Sequence, residues 1–303
     1  MESKDNSFIL TIAIPTYNRP DKIKKQVLSL IPQLTDETRL VIIDNSSDVE
    51  VASLFNDIDL PINVVVVRNK CNIGADANIA KCFELCETKW LWTLSDDDIL
   101  DNNAVKQVLC DIKKHQDFIF INYNRNRKVI TSGLQEFALE GCKMYTYLFW
   151  LSVCVYNTKA LRSYYYFYYQ ALSTMHPGVA MLTKYLADND GNTMLSDTKI
   201  VIDGGKEISW KRENFVYSAL IMCDVLRDYS KVLNPTFFRA LTDMCFNSIY
   251  KILPQKQRLL LMIKLFFLVV KRRGIINIIR YNFQRTFLFF PILLKKKLLH
   301  QLY

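Results

Sequence analysis

The sequence predicts an α/β protein, a doubly wound and mostly parallel sheet followed by a C-terminal helical extension. Two observations carry that expectation. Over residues 8–122, short runs rich in β-branched residues alternate with stretches of helical periodicity. Beyond residue 215 the pattern turns helical throughout, and its final part is strongly basic. The expected organisation is therefore an α/β domain over 1–215 and a basic amphipathic extension over 216–303.

The strand-like runs are Phe8–Ile14, Arg39–Ile43, Ile62–Val67, Trp90–Leu94 and Phe118–Ile121. They are nearly continuous in apolar character, as strands covered on both faces of a parallel sheet must be. Between them Ile23, Val27, Leu30 and Leu34 fall on one helical face, and Ile79, Phe83 and Cys86 on another. Residues 123–215 are less regular, with a tyrosine-rich stretch at Tyr164–Tyr169 and turn signals at Asp188–Asn192 and Asp203–Gly205. They read as the other half of the same domain. From Phe215 onward Leu220, Cys223, Leu226 and Ser230 keep helical spacing, punctuated by Pro235 and Pro254.

Charge distribution narrows the partners. The chain carries a net +9, and Pro254–Tyr303 alone holds eleven Lys or Arg and no Asp or Glu. A nucleic-acid reader concentrates its basic residues on a folded reading surface; here they interleave with Leu, Ile and Phe, a pattern that fits an anionic bilayer surface and excludes nucleic acid as the expected partner. The longest apolar run in the tail, Leu259–Val270, is interrupted by Lys264 and is shorter than the roughly twenty residues a spanning helix needs. The alternative for this segment is a basic helical cap packed on the main domain. Eight cysteines without a CxxC pair, most of them within apolar runs, read as reduced structural thiols, and the acidic N-terminus shows no secretory signal. The expected location is the cytoplasm, peripheral on the inner face of the plasma membrane.

The chemistry-bearing residues sit at strand ends. The first strand leads into IAIPTYNRP, the second into IIDNSSD, and ligands of open α/β sheets lie beyond the carboxyl ends of strands. Asp44 can accept hydrogen bonds from a base or ribose, or can serve as a turn or cap residue. The fourth strand, WLWTL, runs directly into Ser95, Asp96, Asp97 and Asp98. Successive carboxylates repel one another unless a cation compensates them, and a hard divalent ion that also meets a diphosphate suits them; an acidic turn capping the next helix is the plainer reading.

Together these segments resemble the family 2, GT-A type glycosyltransferases, over about residues 8–215. The matching features are PTYNR at Pro15–Arg19, Asp44 with Asn45 and Ser46, the NxGxxxN stretch at Asn72–Asn78 (NIGADAN), and the SDDD at Ser95–Asp98. The resemblance implies a nucleotide-sugar donor with a Mn or Mg ion as cofactor. Residue by residue, it puts Pro15, Thr16, Tyr17 and Arg19 in the nucleotide pocket, Asp44 on base or ribose, and Asn72, Gly74 and Asn78 behind the nucleotide. Where the family usually has Asp at the start of its metal motif this chain has Ser95, which shifts the nucleotide contact towards Asp96 and leaves Asp97, then Asp98, as metal ligands.

Inverting members use an acceptor-side carboxylate as base, whereas this chain offers Thr174-Met175-His176-Pro177. A subset similar to O-antigen sugar transferases, the abequosyltransferase-like group, looks alike here, so His176 is the candidate base. If His176 only positions the acceptor, Asp188 or Asp190 takes that role. The implied activity is metal-dependent inverting transfer of a sugar to a saccharide acceptor, lipid-linked, in O-antigen or capsule synthesis. Two rivals are a non-catalytic membrane-associated scaffold and a sugar-phosphate nucleotidyltransferase. Clustered carboxylates give a scaffold nothing, and Pro15–Pro20 lacks the glycine-rich phosphate loop the second would need.

Overall fold

The computed structural model describes residues 8–141, 147–174 and 176–203. The extension expected over 216–303, and the boundary at 215, lie outside the described residues.

Apolar strand runs become one half of an eight-stranded sheet. Strands β1 (Leu10–Thr16), β2 (Thr38–Asp44), β3 (Val64–Arg68) and β4 (Trp90–Thr93) pair in parallel in the order β3-β2-β1-β4. At the edge of the sheet β3 is only half-buried, because among the described residues no strand covers its outer side. Ile12, Ile14, Leu40, Ile42, Leu91 and Trp92 are fully buried, as strands covered on both faces require. The sheet then continues as β8 (Cys154–Asn157), β6 (Phe120–Asn122), β9 (Asn192–Leu195) and β7 (Val129–Ser132). Strand β8 runs antiparallel between β4 and β6, so β6 and β9 point the same way as β1 and β4. The mostly parallel, doubly wound expectation therefore holds for the core, and the sheet carries antiparallel strands at β8 and β7. A separate ribbon pairs β5 (Ile99–Leu100) with β10 (Val201–Asp203).

Helices follow the apolar spacing. Helix α1 (Pro20–Leu30) buries Ile23, Val27 and Leu30 and begins with Pro at its first position, where the missing N–H costs nothing. Helix α2 (Ala75–Glu84) starts after Gly74, whose φ of 86° belongs to the region glycine enters without strain. Helices α3 (Ala104–Lys114), α4 (Gly133–Gly141), α5 (Thr158–Leu161), α6 (Tyr165–Gln170) and α7 (Pro177–Asp188) complete the described set. The tyrosine-rich stretch is α6; Tyr168 is buried there while Tyr166 and Tyr169 are exposed. At Gly178 a β-carbon would stand 2.7 Å from the Tyr156 hydroxyl, so glycine lets the first turn of α7 pack closely on β8.

Strand directions define two ends of the sheet. Thr16, Asp44, Thr93 and Asn122 mark one end; Leu10, Thr38, Trp90 and Asn192 mark the other. Because β8 runs backwards, the segment that precedes it, residues 147–153, lies at the first end. Among the described residues Cys82, Cys86 and Cys154 are buried free thiols, whereas the free thiols Cys71 and Cys110 are exposed and take no part in the core. No helix among the described residues is long and apolar enough to cross a membrane.

Candidate active site

The carboxyl ends of β1 and β4 bring the first and fourth motifs into contact. Thr16 donates its hydroxyl hydrogen to Asp96 Oδ2 at 2.7 Å, across eighty positions of sequence. Arg19 reaches the same cluster: its Nη1 lies 2.6 Å from Asp96 Oδ1 and 3.1 Å from Asp97 Oδ2. Lys22, one turn into α1, adds an ammonium 3.6 Å from Asp97 Oδ2. Burial alone would lower the Arg19 pKa; the charges and hydrogen bonds of Asp96 and Asp97 outweigh it and hold the guanidinium above its ordinary value.

Each carboxylate has its own supports. Ser95 donates to Asp97 Oδ1 at 2.7 Å, and the Ser95 N–H is held by the Ser152 hydroxyl at 2.8 Å. Asp98 is nearly fully buried and accepts the Trp150 indole N–H at 2.8 Å. Asp97 is the more open of the first two, its side chain 13% exposed against 5% for Asp96. Among the described residues no three His, Cys, Asp or Glu converge on a point that could hold a metal ion. The described residues therefore form no all-protein metal cage, and Asp97 is the carboxylate of the cluster most open to a hard cation.

Beside Arg19 opens a cleft of about 180 Å³, lined by Asn18, Arg19, Pro20, Ser47, Asp48, Val49 and Val51. Two left-handed residues shape its rim, Asn18 at φ 51° and Ser46 at φ 65°. Asn18 ties the two strand-end loops together: its backbone N–H donates to Ser47 Oγ, its side-chain Nδ2 donates to Asp48 Oδ2, and its side-chain Oδ1 accepts the Asp48 N–H.

Asp44 changes role. It is fully buried, and its oxygens accept the N–H groups of Ser47 and Val51 and pair with Arg68. Burial would raise its pKa; those hydrogen bonds outweigh it and hold the carboxylate below its usual range. With no exposed oxygen, Asp44 builds the wall on which Ser47 and Val51 face the cleft instead of presenting itself to base or ribose. Sequence reasoning gave Asn18 only as part of the loop that follows the first strand, and assigned no role to Ser47 or Asp48. The signal was the spacing itself, since both loops leave neighbouring parallel strands in register at Thr16 and Asp44.

The NIGADAN segment is braced by asparagines. Asn45 donates to Asn72 Oδ1 at 2.8 Å and accepts from Asn69 and from the Ile73 N–H, while Asn72 Oδ1 also takes the Gly74 N–H. Asn78 is buried, accepts from Asn69 and donates to the Ile43 carbonyl. These contacts fix the loop between β3 and α2 against the end of β2, so Asn78 works as a tie within the protein. Pro15 pairs with Ile43 of β2 beyond the last β4 partner, where its missing N–H breaks no ladder on that side, and the Tyr17 ring is 41% exposed next to Thr16.

His176 and Asp190 separate. His176 caps the start of α7 and stacks on Phe149, ring centroids 3.8 Å apart, and Phe149 adjoins the Trp150 that holds Asp98. The candidate base thus lies at the carboxylate end of the sheet. Asp188 ends α7, twelve residues or about 18 Å along the helix, and pairs there with Lys184. Asp190 is exposed just before Asn192, at the opposite end of the sheet from Asp96–Asp98. The structure does not bring Asp188 or Asp190 to the metal motif, because both follow α7 after it has crossed the sheet. Burial pushes the His176 pKa down to about 3, so its imidazole is neutral at physiological pH: the form that accepts a proton, though a weak base.

A family model, described as glycosyl transferase family 2, matches residues 11–172, which hold β1, the carboxylate cluster and β8. The chain belongs to glycosyl transferase family 2. The transferase is 26% identical over 125 residues to an uncharacterized glycosyltransferase of Haemophilus influenzae, spanning 41% of this chain and 42% of that protein. It thus spans less than half the length of that curated relative. Among solved structures it resembles S. aureus TarS, with a TM-score of 0.54 and 16% identity over 72% of this chain and 39% of that one. It also resembles TarS 1–349 in complex with UDP-GlcNAc, at TM-score 0.53, 14% identity, 81% of this chain and 73% of that one. A third likeness is to the mannosyltransferase PcManGT of Pyrobaculum calidifontis in complex with GDP-Man and Mn2+, at TM-score 0.51, 10% identity, 86% of this chain and 80% of that one. At these identities the structural likeness establishes the GT-A fold of the transferase.

Proposed function

We propose that this chain is an inverting glycosyltransferase that moves a sugar from a nucleotide-sugar donor to a hydroxyl of a saccharide acceptor. The observation that carries the reading is the meeting of Thr16 and Arg19 with Asp96 and Asp97, Arg19 also lining the cleft. On this reading the first motif serves the nucleoside and the second the diphosphate. Support comes from the family and from similar folds that hold UDP-GlcNAc, or GDP-Man with Mn2+.

In this reading the cleft between Asn18 and Val51 takes the nucleoside. A divalent ion, Mn or Mg, at Asp97 and Asp98 supplies Lewis acidity towards the leaving diphosphate. His176 takes the acceptor hydroxyl proton or aligns that hydroxyl; the bond from the sugar's anomeric carbon to the diphosphate breaks as the bond to the acceptor oxygen forms. The acceptor is a lipid-linked saccharide of a surface polysaccharide such as O-antigen or capsule. The basic, apolar tail over 254–303 supports that choice, since it suits the anionic inner face of the plasma membrane.

Turnover of UDP- and GDP-sugars by the full chain, with Mn2+ and with chelator, tests the chemistry. Release of nucleoside diphosphate that requires both metal and acceptor is expected. No turnover of any nucleotide sugar under any metal condition would overturn the reading. Mass spectrometry of lipid-linked glycans from cells with and without the protein tests the acceptor; an unchanged glycan profile would remove the lipid-linked assignment.

A further inference from the structure

The three successive carboxylates reverse an expectation about who neutralises them. Bare, they would need an external cation. In the folded chain Asp96 and Asp97 already have two cations of their own, Arg19 at 2.6 and 3.1 Å and Lys22 at 3.6 Å. Both belong to one short stretch, the loop after β1 and the first turn of α1. Arg19 also lines the cleft, so a single side chain touches both the carboxylates and the space beside them.

A divalent ion arriving at Asp97 meets a guanidinium and an ammonium on the oxygen it needs. Like charges at that separation repel, most strongly where water is partly excluded, and Asp97 is only 13% exposed. An ion that takes Asp97 Oδ2 displaces the Arg19 and Lys22 contacts there, while Oδ1 accepts the Ser95 hydroxyl hydrogen. Arg19 then keeps Asp96 alone as its partner, and the cleft it also lines leaves the guanidinium open to a second anion, the donor's phosphates.

We propose that Arg19 and Lys22 are resident counter-ions of Asp96 and Asp97, which offset the carboxylate charge and make the divalent ion bind weakly until a nucleoside diphosphate draws Arg19 away. This rests on the metal-assisted reading above. Metal and donor then bind with positive cooperativity, each raising the affinity of the other by the same factor. The arrangement also favours binding in which the ion enters with the diphosphate. It gives Arg19 and Lys22 roles as positioning residues whose effect is visible without any turnover.

The test is Mn2+ binding alone, by electron paramagnetic resonance of free Mn2+, on the full chain without nucleotide. Arg19→Gln is expected to tighten Mn2+ binding about tenfold, equivalent to about 1.4 kcal/mol. Lys22→Gln should tighten it less, because its contact is longer and more exposed. The melting temperature of Arg19→Gln should rise more on adding Mn2+ than that of the wild type, as ligand binding to the native state requires. Asp97→Asn placed on Arg19→Gln should abolish the gain. Should Arg19→Gln fail to fold, Lys22→Gln alone decides. Mn2+ affinity that is unchanged or weaker in the folded variants would overturn the proposal, even if the wild type transfers sugar with metal. Absence of turnover in the wild type would instead count against the proposed function.

Discussion

Ser95 donates its hydroxyl hydrogen to Asp97 Oδ1 at 2.7 Å, and its own N–H is fixed by the Ser152 hydroxyl. The residue that departs from the usual family pattern therefore became a donor that aims the most open carboxylate of the cluster. An aspartate in its place would add a fourth negative charge and remove the hydrogen bond. Ser95→Ala is expected to lower turnover about tenfold, since a hydrogen bond to a charged group contributes about 1.5–3 kcal/mol. The fold should survive. Steady-state kinetics beside a circular dichroism melt will measure both; unchanged turnover would mean that Asp97 needs no such alignment.

Asp97→Asn is expected to abolish transfer while the protein stays folded. Arg19 keeps its partner at Asp96, and one repulsive charge is removed, so the melting temperature should change little or rise. Activity above a tenth of wild type in saturating metal would show that another carboxylate is the principal ligand.

Trp150→Phe keeps an aromatic ring and deletes the N–H that Asp98 accepts in a nearly buried setting. Weakening a buried carboxylate's hydrogen bonding costs about 1–3 kcal/mol, so the urea midpoint should fall. Because Trp150 adjoins Phe149, on which His176 stacks, turnover should fall as well. A variant as stable and as active as wild type would mean the indole bond contributes nothing.

His176 yields a pH prediction with a definite sign. Its pKa is lowered from 6.5 to about 3 by burial, so between those values the unfolded chain binds more protons than the folded one. Stability contributed by the neutral ring is fully present above pH 6.5 and is lost as pH falls through that window. His176→Asn should flatten this part of the stability profile, measured by denaturant titration from about pH 3 to 7. For His176→Ala a loss of about 10² to 10⁴ in turnover is expected if it is the base. A rise confined to the acceptor KM would assign it to positioning instead.

The basic tail is testable independently of the fold. Eleven positive side chains over Pro254–Tyr303 should each contribute on the order of 1 kcal/mol near an anionic surface before screening. Binding should weaken in high salt without vanishing, because the apolar contribution is unscreened. Truncation after Leu253 should abolish sedimentation with anionic liposomes and keep transfer to a soluble acceptor analogue. A truncated chain that still sedimented, or that failed to fold, would make the tail a structural cap.

Much of the site was legible before folding because strand ends collect ligands. Apolar runs located β1, β2, β3 and β4, and the residues at and just past the carboxyl ends of β1 and β4 are Thr16, Arg19 and Asp96–Asp98. Strands β7, β8 and β9 were not legible: they are only four residues long and carry polar positions such as Thr131, Asn157 and Asn192 that hide the period. Asp44 was found with two roles open, because a sequence marks a carboxylate at a strand end without saying whether its oxygens turn outward or, as here, into the loop.

By itself the sequence determined the class of fold, the positions of the first four strands and the concentration of charge at Ser95–Asp98, since each depends on local pattern or composition. Only the tertiary structure decided who neutralises whom. Parallel pairing of β1 beside β4 sets Arg19 and Thr16 against carboxylates some eighty positions away. The backward run of β8 brings Trp150 to Asp98, with Phe149 and His176 beside it. The length of α7 carries Asp188 and Asp190 to the far end of the sheet. Such contacts depend on strand direction and helix length, which act over distances that no residue pattern records.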